Sequence, residues 1–122
     1  MSSKNIKSWK LFAQHILDSV AKLEAIQIRG DITQDSILYD AALRNLQTLA
    51  EATQRLPDAL KEAHSHIPWK QISSFRNILV HEYLGTIDPM AVKNIILQHL
   101  PPLLQAVTSM LEMPDSYLEN QE

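Results

Sequence analysis

Cysteine is absent from this chain of 122 residues, and glycine occurs only twice, as Gly30 and Gly85. The lack of thiols excludes disulfide bonds and thiolate metal sites. Sandwiches and barrels use glycine at their many turns, so its scarcity disfavours those folds and favours helices. No uninterrupted apolar run approaches the roughly 20 residues that a helix needs to cross a bilayer. We therefore expect a helical, cytoplasmic protein without a membrane anchor.

Positive charge is also scarce, since 11 Lys and Arg residues face 14 Asp and Glu residues and leave a net charge of -3. General nucleic-acid binders use many Lys and Arg side chains to release counterions from phosphates. Any contact with RNA is therefore expected to be local, or to come from an oligomer that concentrates positive charge.

Apolar residues recur at three- and four-residue steps along most of the chain, which places them on one face of successive helices. Long helices with short connections and one apolar stripe each predict an all-α fold, an antiparallel up-and-down bundle of four long helices plus one short. Residues 1–113 are assigned to the bundle and 114–122 to a polar tail that frays. The predicted helices run from Lys7 to about Arg29, from the caps Asp31 or Thr33 to Pro57, from Pro57 to about Ala63, from Trp69 to about Tyr83, and from Pro89 to about Leu111.

Two features of this pattern carry specific expectations. Asp31 and Thr33 are both good N-caps for the second helix, and Gln34 lies three residues after Asp31 as in a capping box. Pro101 and Pro102 fall inside the last apolar pattern, where they must kink the helix or split it in two.

The chemically richest stretch combines Arg76, Asn77, His81 and Tyr83 near the end of the fourth helix. On an ideal helix Arg76 and His81 point about 140° apart, so they cannot converge without help. Convergence requires a helix that unwinds near Val80, an arginine that reaches around the helix, or a dimer that brings two copies together. Alternatively, Arg76 pairs with an acid of a neighbouring helix, and His81 and Tyr83 line a half-buried helix end.

Other candidate sites are weaker. His64 and His66 lie in a polar turn without a third ligand nearby, so we expect no metal site there. Ser73 and Ser74 have neither a proton relay nor a glycine elbow, so a serine hydrolase is disfavoured. His99 has the spacing of a helix-surface or boundary residue.

The run from Arg76 to Tyr83 resembles the Arg-x4-His-x-Tyr motif of HEPN domains, specifically the HepT-like toxins of toxin–antitoxin pairs. The likeness extends from the first helix to about Leu111. Two positions depart from it, since Ala50 stands where a glycine is common and Lys93 where a tryptophan is common. Further matching segments are 40–46, 50–52, 67–72 and 100–104.

The resemblance implies a HEPN-like bundle that acts as a homodimeric, metal-independent endoribonuclease on RNA rather than DNA, with no cofactor. His81 would transfer protons, Arg76 would bind the scissile phosphate, and Asn77 would orient His81 or a phosphate oxygen. Supporting roles fall to Arg44 and Glu51.

The resemblance also implies a partner, a nucleotidyltransferase antitoxin of the MNT type. This enzyme would silence the toxin by transferring AMP to Tyr83. A rival interpretation is a non-catalytic HEPN subunit that binds a nucleotide or substrate for a nucleotidyltransferase. A third is a helical dimeriser with no chemistry.

Overall fold

The computed structural model describes residues 2–82 and 88–119, and it describes side-chain surroundings at 8–75 and 88–119. These ranges contain helices and no strand, which confirms the predicted all-α class. None of the described helices is both long and apolar enough to span a membrane. The helices are α1 (Ser2–Arg29), α2 (Ser36–Thr53), α3 (Asp58–Ala63), α4 (Trp69–Glu82), α5 (Pro89–Glu112) and α6 (Asp115–Glu119).

The four long helices pack as α1 on α2, α2 on α4 and α1 on α5. Polar contacts fix the directions of the helices. Lys10, near the start of α1, forms an ion pair of 2.8 Å with Asp115, just beyond the end of α5. Lys93, near the start of α5, forms one of 3.2 Å with Asp31, just after the end of α1. Helices α1 and α5 are therefore antiparallel, as the predicted up-and-down topology requires.

The last residue of α2 contacts the first half of α4, the arrangement expected of antiparallel neighbours in an up-and-down bundle. The hydroxyl oxygens of Thr53 and Ser73 lie 3.3 Å apart in a partly buried hydrogen bond. Around this contact the apolar stripes of the long helices form one continuous core. Its fully buried members include Ile16, Leu23, Leu60, Ile96, Leu103 and Met110.

The N-cap of α2 is Asp35, so the prediction of Asp31 or Thr33 is wrong. Asp35 Oδ1 accepts hydrogen bonds from the backbone of Ile37 and Leu38, at 2.9 and 3.2 Å. Asp31 instead stabilises the preceding turn by accepting from the backbone N–H and the hydroxyl of Thr33. These hydrogen bonds, and the ammonium of Lys93, lower the pKa of the Asp31 carboxyl. Both aspartates are good caps, and only the length of the turn decides between them.

Helix α5 runs through Pro101 and Pro102 as a single helix, so it is not split. Buried Leu100 and Leu103 bracket the prolines and anchor both halves to the same core. The prolines leave the carbonyl of Leu97 and that of Gln98 without their usual intrahelical donors. Both residues are exposed, so water can satisfy these carbonyls.

A short helix, α6, follows Pro114 where a frayed polar tail is predicted. Leu118 is only 8% exposed and belongs to the core, and Asp115 holds Lys10 of α1. Tyr117 also packs against the core. Periodicity over only five residues cannot reveal such a helix. The boundary between bundle and tail after residue 113 stays a prediction.

The turn between α3 and α4 is tied together by Trp69. Its indole N–H donates to the carbonyl oxygens of Lys61 and His64, both at 3.1 Å. Burial lowers the pKa of His64, and the neighbouring His66 lowers it further. The fold therefore favours the neutral imidazole of His64.

This preference gives a pH dependence of stability with a defined sign. The unfolded chain binds a proton at His64 near its usual pKa of about 6.5, whereas the folded chain binds one only at lower pH. His64 therefore contributes stability above about pH 6.5 that is lost as the pH falls through the folded pKa. We expect His64→Gln to reduce the fall in melting temperature between pH 7.5 and pH 5.5. Identical falls in both proteins would contradict this assignment.

Candidate functional site

Helix α4 carries the residues singled out by the sequence, and its backbone is helical without interruption from Trp69 to Glu82. This continuity excludes unwinding near Val80, which is one of the three routes by which Arg76 and His81 could converge. The side chains of Arg76, Asn77 and His81 lie outside those that the structure describes, and Tyr83 lies outside the described residues altogether. Their assignment as site residues stays a prediction.

The continuous helix fixes where the backbone presents these positions. Residues 76 and 81 are about 7.5 Å apart along the axis and about 140° apart around it. Positions 74 and 81 are seven residues apart and share one face, which is exposed to solvent at Ser74. Phe75, about 100° around the helix from Ser74, is buried and only 7% exposed. One copy of α4 therefore presents Arg76 and His81 on different sides of its axis.

The two supporting positions on α2 are exposed. Arg44 is nine residues from Thr53, so it projects about 180° away from the side that contacts Ser73 of α4. Glu51 is two residues from Thr53 and lies close to the same outer face as Arg44. In this antiparallel arrangement, Arg44 lies about level with position 81 of α4. The described structure thus places both residues on the solvent side of α2, outside the α2–α4 contact.

A cavity of about 240 Å³ opens between α2, α4 and α5. Its walls are mostly apolar, with Ala50 from α2, Phe75 from α4 and Leu103 from α5 among them. Its polar lining residues are Gln71, Ser74 and His99, contributed by α4 and α5. Gln71 and Ser74 are exposed and His99 is half-buried. We call this space the α2–α4–α5 cavity.

Sequence reasoning did not identify this cavity, although its description of His99 as a helix-surface or boundary residue agrees with the half-buried side chain. One feature of the sequence does point to the location of His99. His99 lies three residues after Ile96 and four before Leu103, so it shares the periodicity of the buried side of α5. A histidine at such a position is directed towards neighbouring helices rather than away from them.

Metal ligands do not cluster within the described ranges, where no group of three or more His, Asp or Glu side chains could hold an ion. The rings of His64 and His66 lie 6.0 Å apart, centroid to centroid.

Comparison with known proteins identifies the family of this chain. The profile of the HepT-like ribonuclease family ("Ribonuclease HepT-like") matches residues 13–110. A protein of Caldanaerobacter subterraneus subsp. tengcongensis named as a "Putative RNase" is 31% identical over 111 residues, which cover 88% of this chain and 97% of that protein. A "Probable ribonuclease HepT" of Thermococcus cleftensis is 26% identical over 102 residues, covering 80% and 90% of the two chains.

A third relative, from Methanocaldococcus jannaschii, is named "Gamma-glutamylcyclotransferase and putative RNase". It is 28% identical over 117 residues, which are 93% of this chain. The chain spans about half of that relative, 52% of its length. No solved structure matches the chain.

The chain belongs to the HepT-like ribonuclease family, whose members carry a HEPN domain. The resemblance drawn from the sequence is thereby confirmed at the level of the family. The structure also describes the two positions at which the chain departs from the family pattern. Ala50 is buried in the wall of the α2–α4–α5 cavity, and Lys93 forms the ion pair with Asp31.

Proposed function

We propose that this protein is a metal-independent endoribonuclease that works as a homodimer, with Arg76 and His81 as its catalytic residues. The proposal is carried by one observation, the family match over residues 13–110 combined with the Arg-x4-His spacing on the continuous helix α4. The ribonuclease names of the relatives agree with it.

The residue types supply a complete reaction. One His81 imidazole removes the proton of a ribose 2′-hydroxyl, because its ordinary pKa near 6.5 suits proton transfer at neutral pH. The 2′-oxygen attacks phosphorus, the bond to the 5′-oxygen breaks, and a protonated imidazole gives that oxygen a proton. The products are a 2′,3′-cyclic phosphate and a 5′-hydroxyl. Arg76 stabilises the charge that develops on the phosphate with a bidentate fork.

A dimer supports this chemistry in two ways. Two copies of His81 provide a base and an acid in the same cleft. Two copies of α4 also bring Arg76 of one subunit near His81 of the other, which a single continuous helix does not do. A second subunit also brings a second Arg76 to the cleft, which concentrates positive charge there although the chain is acidic overall. Asn77 orients His81 or a phosphate oxygen. Arg44 and Glu51 lie on the solvent side of α2, so they would support a cleft that this side of α2 forms with the partner subunit.

We further propose that the protein is the toxin of a toxin–antitoxin pair, silenced by an MNT-type nucleotidyltransferase. That partner transfers AMP from ATP to the hydroxyl of Tyr83 and releases pyrophosphate. The added phosphodiester carries a negative charge two residues from His81, where it competes with the RNA phosphate for Arg76.

RNA cleavage by the parent protein separates this function from the rival, a non-catalytic binding subunit, and Arg76→Ala tests the role of the guanidinium. We expect Arg76→Ala to lower the cleavage rate at saturating RNA by about 10²-fold or more in the presence of EDTA, because the guanidinium stabilises the additional negative charge that develops on the phosphate in the transition state. The measurements are RNA cleavage in EDTA and RNA affinity by fluorescence anisotropy. Lys70→Ala, on the exposed start of α4, is the matched control for the loss of one positive charge. RNA binding without any cleavage by the parent protein would favour the rival.

A further inference from the structure

The α2–α4–α5 cavity combines an apolar interior with polar groups that have free hydrogen-bonding capacity. The hydroxyl of Ser74 donates to the backbone carbonyl of Gln71 at 3.1 Å, and its own lone pairs remain available. The side-chain amide of Gln71 offers a donor and an acceptor, and the imidazole of His99 offers one of each when neutral. All three groups line one cavity whose floor includes Phe75.

The size of the cavity restricts what can enter. Pockets for drug-sized molecules measure roughly 300–1,000 Å³. At about 240 Å³ the cavity has room for one flat heteroaromatic ring in contact with apolar walls. A nucleobase is such a ring, and its edge carries the donors and acceptors that the side chains of Gln71, Ser74 and His99 can match.

The position of the cavity relates it to the proposed cleavage site. Ser74, which is exposed, lies on the same face of the α4 backbone as position 81, seven residues away and about 10.5 Å along the axis. This short separation places the cavity beside the proposed cleavage site, and sequence-specific RNA recognition commonly reads unpaired bases that are splayed out of the strand.

We propose that the α2–α4–α5 cavity is a base-recognition site. It receives one unpaired nucleobase of the RNA strand beside the cleaved phosphodiester, and Gln71, Ser74 and His99 read the edge of that base. This inference rests on the proposed ribonuclease function and adds the substrate feature that the enzyme selects. It also gives a physical role to Ala50, whose small side chain leaves the cavity open.

The test measures cleavage rates on oligoribonucleotides that differ in one base at each position around the cleaved bond. We expect the parent protein to prefer one base, or one class of base, at a fixed position. Loss of one hydrogen bond to the base in Gln71→Ala or His99→Ala should reduce that preference about tenfold. Ala50→Leu should fill the cavity and reduce cleavage of the preferred substrate to the rate of the others. Gln98→Ala, an exposed neighbour of His99, is the matched control and should keep the preference.

Three outcomes would overturn the inference. The first is a base preference that survives all three cavity substitutions, and the second is the absence of any preference in the parent protein. The third is that Ala50→Leu dissociates the dimer in sedimentation experiments while the base preference stays intact. Such a result would mean that the cavity holds a side chain of the partner subunit and not a base.

A failure of the proposed nuclease function is distinguishable from these outcomes. If the parent protein cleaves no RNA, the four nucleoside 5′-monophosphates are titrated into it and followed by NMR. If the cavity recognises a base, the chemical shifts of the amides of Gln71, Ser74 and His99 should change by amounts that differ between the four nucleotides. Ala50→Leu should abolish these changes. Shifts that are absent, or equal for all four bases, would refute the site independently of catalysis.

Discussion

His81→Ala should lower the rate of RNA cleavage by about 10²–10⁴-fold, the contribution expected of a positioned general acid or base. In the proposed homodimer the substitution removes both the base that activates the 2′-hydroxyl and the acid that protonates the leaving oxygen. The effect should appear in the rate at saturating RNA, because the imidazole contributes little to ground-state binding. Initial rates on a single oligoribonucleotide, followed by separation of the cyclic-phosphate product, provide the measurement.

A matched control separates this chemical effect from damage to the fold. His15 is exposed on α1, and His15→Ala removes an imidazole without touching α4. We expect His15→Ala to cleave at the parent rate and both variants to melt within a few degrees of the parent. Cleavage by His81→Ala within twofold of the parent would remove His81 from the mechanism.

Adenylylation of Tyr83 should abolish cleavage altogether, because each subunit then carries an extra anion and a bulky nucleoside beside the proposed cleft. Incubation with an MNT-type nucleotidyltransferase and ATP should raise the mass of each subunit by an adenylyl group or a small number of them. Tyr83→Phe lacks the acceptor hydroxyl, so its mass should stay constant and its cleavage should persist after the same treatment.

Tyr117→Phe is the control for this experiment, since Tyr117 is a half-buried tyrosine of α6. It should be modified and silenced like the parent protein. A mass increase that persists in Tyr83→Phe would assign the acceptor elsewhere, and a modified protein with full activity would contradict silencing by AMP.

The sequence predicted the helices and their antiparallel order well because the core stripes are long. Residues such as Ile16, Val20 and Leu23 repeat over several turns, and a long amphipathic pattern has few alternative structures. Local details were less accessible. Asp31 and Asp35 are equally good caps in isolation, and α6 depends on the burial of Leu118 by distant elements.

The candidate site was predictable only in part. The spacing of Arg76 and His81 is a property of the sequence, and so is their divergence of about 140° on a helix. Whether α4 continues past Val80 depends on tertiary packing. Its continuity excludes one of the three ways in which Arg76 and His81 could converge. The α2–α4–α5 cavity was not predictable, because it requires Ala50, Gln71 and His99 from three helices to line one space.

Subunit mixing tests most directly whether two copies of α4 share one cleft. Parent chains and His81→Ala chains are unfolded together in equal amounts and refolded as a mixture. Random pairing in a two-fold symmetric dimer gives about a quarter parent dimers, a half mixed dimers and a quarter variant dimers. If the cleft needs both copies of His81, one as base and one as acid, only the parent dimers cleave RNA and the mixture keeps about a quarter of the parent activity. A mixture that keeps about half of the parent activity, with the mixed dimer detected by native mass spectrometry, would contradict the shared cleft.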